Sequence, residues 1–198
     1  MAKAVLGIIG GSGIYDLPGL EDVREERVST PWGEPSDALR IGRIGDTQVV
    51  FLPRHGRGHR LPPSEINYRA NIDALKRAGV TDLVSFSACG SYRDELNPGT
   101  FVLVDNFVDR TVRRESSFFG AGCVAHVSFA HPVGPALQDL LARAAEGEGV
   151  VLSEEAPNTL RFAVGLAGVL LLVAAFRLLR PVRRAVLTYG EPTRARLA

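Results

Sequence analysis

The apolar run Val49-Val50-Phe51-Leu52 passes directly into Pro53-Arg54-His55-Gly56-Arg57-Gly58-His59, and this junction constrains the fold more than any other stretch of the chain. Four consecutive β-branched or large apolar residues read as a strand buried on both faces. The loop after it has the opposite character: two arginines and two histidines spaced by glycine. Arginine carries a planar fork of donors that matches phosphate oxygens two at a time. Glycine lets the backbone approach a ligand closely and adopt conformations closed to other residues. A strand that releases such a loop presents an anion site at its carboxyl end.

Three further apolar runs, Val5–Ile9, Leu83–Phe86 and Phe101–Val104, are short and bounded by glycine, proline or charge. They read as buried strands. Between the second and third strands lies Pro62-Pro63-Ser64, followed by Glu65 to Ala78 and then Gly79. Ile66, Ala70, Leu75 and Ala78 roughly follow helical spacing, Ser64 is the expected N-cap, and Gly79 is a C-terminal stop signal. A second helix is expected over Pro135 to Glu146, with Leu137, Leu140 and Leu141 on its inner face. Strand, helix, strand with short connections predicts an α/β domain.

The chain of 198 residues has room for one ordinary domain, and 45% hydrophobic with 23% charged residues is a globular balance. A net charge of +1 gives no footprint for nucleic acid. Cys89 and Cys123 lack metal-ligand spacing and read as reduced thiols. No signal peptide is expected at the N-terminus, because the run Ala4 to Ile9 is too short for export.

The first strand runs into Gly10-Gly11-Ser12-Gly13. A dinucleotide fingerprint starting at Gly11 fails at Asp16, where a small residue is needed, and a P-loop fails for want of its lysine. What remains is a glycine turn with one hydroxyl. Taken alone it serves equally as a plain structural turn or as a grip for phosphate. The third strand leads into Ser85-Phe86-Ser87-Ala88-Cys89-Gly90-Ser91, again with hydroxyls and small residues. Three such strand ends point to one site at the carboxyl edge of a sheet, where open α/β folds bind ligands. Arg54 and His55 have no evident structural task between the glycines.

The segments Gly7 to Gly13, Thr30-Pro31-Trp32-Gly33, Pro35-Ser36-Asp37, Pro53 to His59, Pro63 to Asn71, Ser87 to Ser91 and Val104 to Thr111 together resemble the 5′-methylthioadenosine phosphorylases. The resemblance covers residues 3 to about 149. It implies the α/β mixed-sheet fold of trimeric purine nucleoside phosphorylases, of which only the N-terminal portion is present, and a homotrimer. It implies cleavage of 5′-methylthioadenosine by inorganic phosphate, giving adenine and 5-methylthioribose 1-phosphate, in the cytoplasm and with neither metal nor cofactor. By the same resemblance Ser12, Arg54, His55, Ser87 and the backbone of Ala88 contact phosphate. His126 borders the neighbouring subunit's pocket for the 5′-substituent, whereas His131 reads as a surface or core histidine.

The resemblance then stops. The family's base-protonating aspartate and its Met-Glu-Gly-Pro loop have no counterpart here, and Met1 is the single methionine. The expected division is a truncated phosphorylase domain over 1–149, a junction over 150–159, an apolar helix over 160–180 and a basic tail over 181–198. Phe162 to Phe176 contains no polar side chain. The block is either a buried core helix or a membrane span, and its all-round apolarity favours the span. Six arginines against Glu191 alone from Arg177 onward would keep the tail cytoplasmic. The expectation is an impaired phosphorylase. The alternatives are a phosphorylase for methylthioinosine or another purine nucleoside, a non-catalytic membrane-tethered phosphate or nucleotide binder, and a fusion product.

Overall fold

The computed structural model describes residues 4–11, 14–115, 117–126, 130–147 and 152–153. Its centre is β1 (Val5–Gly10), all six residues buried. β1 is flanked by β4 (Thr47–Pro53) on one side and β5 (Asp82–Ser85) on the other, both parallel to it. A strand covered on both faces has no use for polar side chains, and Val-Leu-Gly-Ile-Ile-Gly contains none. β3 (Leu39–Ile44) pairs antiparallel with β4, and β2 (Glu21–Glu26) antiparallel with β3. The sheet order is β2-β3-β4-β1-β5, a mixed sheet as expected.

β2 and β3 left no signal that apolar runs alone reveal. β3 alternates, with Leu39 and Ile41 buried and arginine at 40 and 43. Glu-Asp-Val-Arg-Glu-Glu of β2 is exposed throughout. Its charges suit an edge that must not recruit another strand, and it is a strand because β3 offers a ladder to pair with. The β3–β4 hairpin closes through Gly45-Asp46, with Gly45 at φ +56°. That leading position of a two-residue turn favours glycine.

The period-2 geometry of β1 and β4 divides their side chains between two cores. Leu6, Ile8, Val49 and Phe51 face one way, joined by Leu17 and by Leu140 of α2 (Pro135–Gly147). Val5, Ile9, Val50 and Leu52 face the other way, with Leu39, Ile41 and Ala74 and Leu75 of α1 (Tyr68–Arg77). A helix therefore contributes to the core on each face of the sheet. On α2 the buried residues are Leu140, Ala144 and Ala145; Leu137 and Leu141 are half-buried.

The N-cap of α1 is Asn67, not Ser64. Pro62 to Glu65 closes a separate turn, Glu65 N–H donating to the Pro62 carbonyl at 2.9 Å, so the helix cannot begin there. Asn67 Oδ1 accepts from Ala70 N–H at 3.1 Å while its Nδ2 donates to the Trp32 carbonyl at 2.7 Å. The C-terminus ends as expected at Gly79, φ +87°. Gly79 N–H reaches the Lys76 carbonyl and Val80 N–H the Leu75 carbonyl, each at 3.1 Å, the paired bonds of a Schellman stop.

β5, expected as a buried strand, is instead the edge of the described sheet, and Leu83 is 37% exposed. β6 is only Phe101–Val102 and pairs parallel with β7 (Leu152–Ser153). A strand thus lies within the segment read as a junction. The block 160–180 lies outside the described residues, and among those described no helix is long and apolar enough to cross a membrane.

Asn71 joins α1 to the loop before β3. It is 2% exposed, accepts from Ser36 N–H at 2.7 Å and donates to Ser36 Oγ at 2.9 Å. Asn71→Ala leaves a buried N–H without its partner, and urea denaturation is expected to show a loss of about 2–3 kcal/mol.

Candidate active site

β4, β1 and β5 are parallel neighbours, so their carboxyl ends open on the same edge. The chain leaves β1 toward β3 and β4 on one side, then crosses through α1 to β5 on the other. Such a reversal of strand order opens a crevice at the strand ends. All three glycine- or hydroxyl-bearing loops recognised in the sequence leave from this edge.

The backbone continues the ladders one residue past the strands. Arg54 N–H donates to the Gly10 carbonyl at 2.9 Å, and Phe86 N–H to the Ile9 carbonyl at 3.0 Å. Gly11 is buried between these two extensions. A Cβ on Gly11 would stand 2.5 Å from the Phe86 carbonyl oxygen and 3.2 Å from Arg54 Nη2, so only glycine fits. The next turn closes by Ile14 N–H donating to the Gly11 carbonyl at 3.2 Å; Ser12 and Gly13 lie outside the described residues.

Arg54 Nη1 donates to Ser87 Oγ at 2.8 Å, bringing two of the expected phosphate ligands together from β4 and β5. Arg54 is half-buried, while Ser87 and Ala88 are exposed, so this cationic group faces the open edge. Partial burial pushes the Cys89 thiol up and the Arg54 charge opposes it, with burial prevailing. The net effect favours the protonated thiol of Cys89 over its thiolate.

His55 has a structural task that the sequence did not reveal. It is 5% exposed, and its Nδ1 lies 2.9 Å from the Leu61 carbonyl. A carbonyl only accepts, so Nδ1 carries a proton, and Nε2 is the ring nitrogen left to meet a ligand. The loop closes through Leu61 N–H on the His55 carbonyl at 3.0 Å and Gly56 N–H on the Pro53 carbonyl at 2.9 Å. Gly56 has φ +71°, and a Cβ there would meet Arg60 Nε at 2.9 Å and the Ser36 carbonyl at 3.0 Å. His126 is exposed in the loop after Cys123, and His131 is exposed as well.

Asp37 holds the loop from beneath. Its Oδ2 accepts from Arg57 N–H at 2.6 Å and its Oδ1 from Ala38 N–H at 2.9 Å. Arg60 also donates to the Ser36 carbonyl. Partial burial pushes the Asp37 carboxyl up, but the N–H donors of Arg57 and Ala38 and the charges of Arg60 and Arg57 outweigh it and hold it below 3.8.

The model of the phosphorylase superfamily matches residues 5–167. The chain belongs to the phosphorylase superfamily. An S-methyl-5′-thioadenosine phosphorylase of Bradyrhizobium diazoefficiens is 70% identical over 77% of this chain and 53% of its own length. One from Cereibacter sphaeroides is 58% identical over 77% of this chain and 52% of its own length. A crystal structure of a double mutant of adenosine/methylthioadenosine phosphorylase from Schistosoma mansoni, in complex with adenine, superposes with a TM-score of 0.71. It is 43% identical over 74% of this chain and 53% of that one. The chain spans about half the length of the curated relatives it matches. The superfamily match extends through the 150–159 segment and into the apolar block.

In this phosphorylase fold, two residues test how the site edge is built. Gly11→Ala forces a methyl group into the Phe86 carbonyl, and chemical denaturation is expected to show a loss of about 1–3 kcal/mol. Asp37 is a matter of pH. A carboxyl lowered in the folded state contributes stability that is complete above its ordinary value, 3.8, and lost as pH falls through the lower folded value. The difference in melting temperature between the wild-type chain and Asp37→Asn should therefore be full at pH 6 and shrink as pH drops below about 3.9.

Proposed function

We propose that the edge formed by β1, β4 and β5 holds inorganic phosphate as the nucleophile for phosphorolysis of 5′-methylthioadenosine, releasing adenine and 5-methylthioribose 1-phosphate. The observation that carries the reading is the Arg54–Ser87 pair, 2.8 Å apart, set against the one position where Gly11 lets three strand ends converge. The similarity to S-methyl-5′-thioadenosine phosphorylases over three quarters of the chain supports it.

The chemistry fits this arrangement. Breaking an N-glycosidic bond builds positive charge on the ribosyl carbon, and the incoming phosphate must be held beneath it. Arg54 supplies a charged fork, Ser87 and Ser12 hydroxyls, Ala88 a backbone N–H, and His55 its remaining ring nitrogen. Fixing the anion in this way replaces an encounter in solution by a preset geometry, which can lower the barrier by several kcal/mol. No cofactor is needed for the step.

We place His126 beside the 5′-substituent of a neighbouring subunit in a homotrimer. Val104, Val108, Val112, Phe119 and Val124 are exposed in the same region, and assembly would cover such apolar surface. The compartment we propose is the cytoplasm.

The departing adenine needs a proton donor, and neither the aspartate that the resemblance implies for this nor the substrate-binding Met-Glu-Gly-Pro loop has a counterpart among these 198 residues. Turnover by this chain alone is accordingly expected to be slow, and phosphate binding is the direct test. Calorimetric titration with inorganic phosphate should show binding by the wild-type chain and at least a tenfold loss in Arg54→Ala, about the value of one charge-assisted contact. Equal binding by both refutes the assignment of Arg54. Phosphate-dependent release of adenine from methylthioadenosine, compared with hypoxanthine from inosine, identifies the base: faster hypoxanthine release would favour the alternative nucleoside.

A further inference from the structure

The phosphate clamp leaves two neighbouring side chains without a task, Tyr15 and His59. Tyr15 belongs to the loop after β1, and its hydroxyl lies 2.7 Å from Nδ1 of His59 in the loop after β4. The two rings meet edge to face, centroids 6.2 Å apart. On its other side the His59 ring is stacked on His55, with centroids 4.4 Å apart and planes inclined by 22°. His59 has φ +54°, a left-handed conformation uncommon outside glycine and one in which histidine, asparagine and aspartate are the side chains most often found. Its N–H donates to the Gly56 carbonyl at 3.1 Å, which holds the backbone there.

An exposed histidine gains nothing by itself from a left-handed backbone. Here that backbone delivers its ring to two partners from different places. The Arg54–Ser87 bond already joins the β4 loop to the β5 loop. The Tyr15–His59 bond makes the matching connection to the loop that leaves β1. The His55 ring, meanwhile, is held at Nδ1 by the Leu61 carbonyl and in its plane by His59. It has only Nε2 left to offer a ligand.

We propose that Tyr15 and His59 are positioning residues for phosphate: together they clasp the glycine loop to the β4 loop and fix the His55 ring, setting the two sides of the anion site at one separation. This rests on the anion-site reading above. Neither residue touches the anion. Each acts through its neighbour, Tyr15 on the glycine loop and His59 on His55. The ligand class is a tetrahedral oxyanion, inorganic phosphate being the probe.

The test uses the full 198-residue chain, with Tyr15→Phe, which deletes one oxygen, and His59→Asn, which tolerates the left-handed backbone but removes the ring. Phosphate affinity is measured by calorimetry and the His55 ring resonances by NMR, with circular dichroism to check the fold. Both variants are expected to keep the wild-type spectrum of a folded chain, to weaken phosphate binding by about tenfold or more, and to move the His55 ring resonances. Phosphate binding at wild-type strength in both variants overturns the proposal. A wild-type chain that takes up no phosphate overturns the anion-site reading instead. The clasp is then judged on the His55 resonances, supported if Tyr15→Phe moves them and overturned if it does not. Should His59→Asn fail to fold, Tyr15→Phe carries the test alone.

Discussion

The edge where β1, β4 and β5 end depends on how closely the chain after β1 can pass between the extensions of β4 and β5. Gly10 and Gly11 make that passage possible. A Cβ on Gly10 would lie 2.4 Å from the Ile14 carbonyl and 2.8 Å from Phe51 Cζ, and on Gly11 2.5 Å from the Phe86 carbonyl. These are separations real side chains do not reach, and most of the opposing atoms are backbone or buried ring, which cannot yield as a flexible side chain would. With the glycines in place, Arg54 N–H and Phe86 N–H close on consecutive carbonyls of β1. Arg54 and Ser87 then meet across the gap.

The loop that carries Arg54 is held from the opposite side by a chain of polar ties. Asn71 of α1 bonds Ser36, whose carbonyl accepts from Arg60, and Asp37 accepts the Arg57 N–H. The helix that crosses from β4 to β5 therefore also steadies the loop leaving β4. A buried asparagine is costly unless each of its groups is satisfied, and Asn71 is satisfied by one residue, Ser36. Rigid strands and a tethered loop are how a protein can hold an anion without deforming when the anion arrives.

Much of this was legible in the residues. β1, β4, α1 and α2 announced themselves because their burial leaves an apolar run or a helical spacing, and Gly79 ended α1 as its type suggests. The three anion-friendly loops could be recognised, and their shared edge inferred, from strand ends alone. β2 was not legible, since Glu21–Glu26 has no buried face and exists through its pairing with β3. The capping role of Asn67 was hidden by Ser64, a good cap residue that falls in a turn of its own. His55 looked free because its partner, the Leu61 carbonyl, is a backbone atom that no sequence pattern marks.

The sequence by itself determined the kind of molecule: an α/β sheet with glycines, arginine and hydroxyls at strand ends, and a motif set that resembles methylthioadenosine phosphorylases. Those properties reside in local composition and short-range order, which a linear reading preserves. Only the tertiary structure decided which of these groups meet. Arg54 is paired with Ser87, thirty-three residues away, and Tyr15 with His59, forty-four residues away. Such distances close only because β1 lies between β4 and β5, and that strand order is set by packing on both faces of the sheet, not by any single segment.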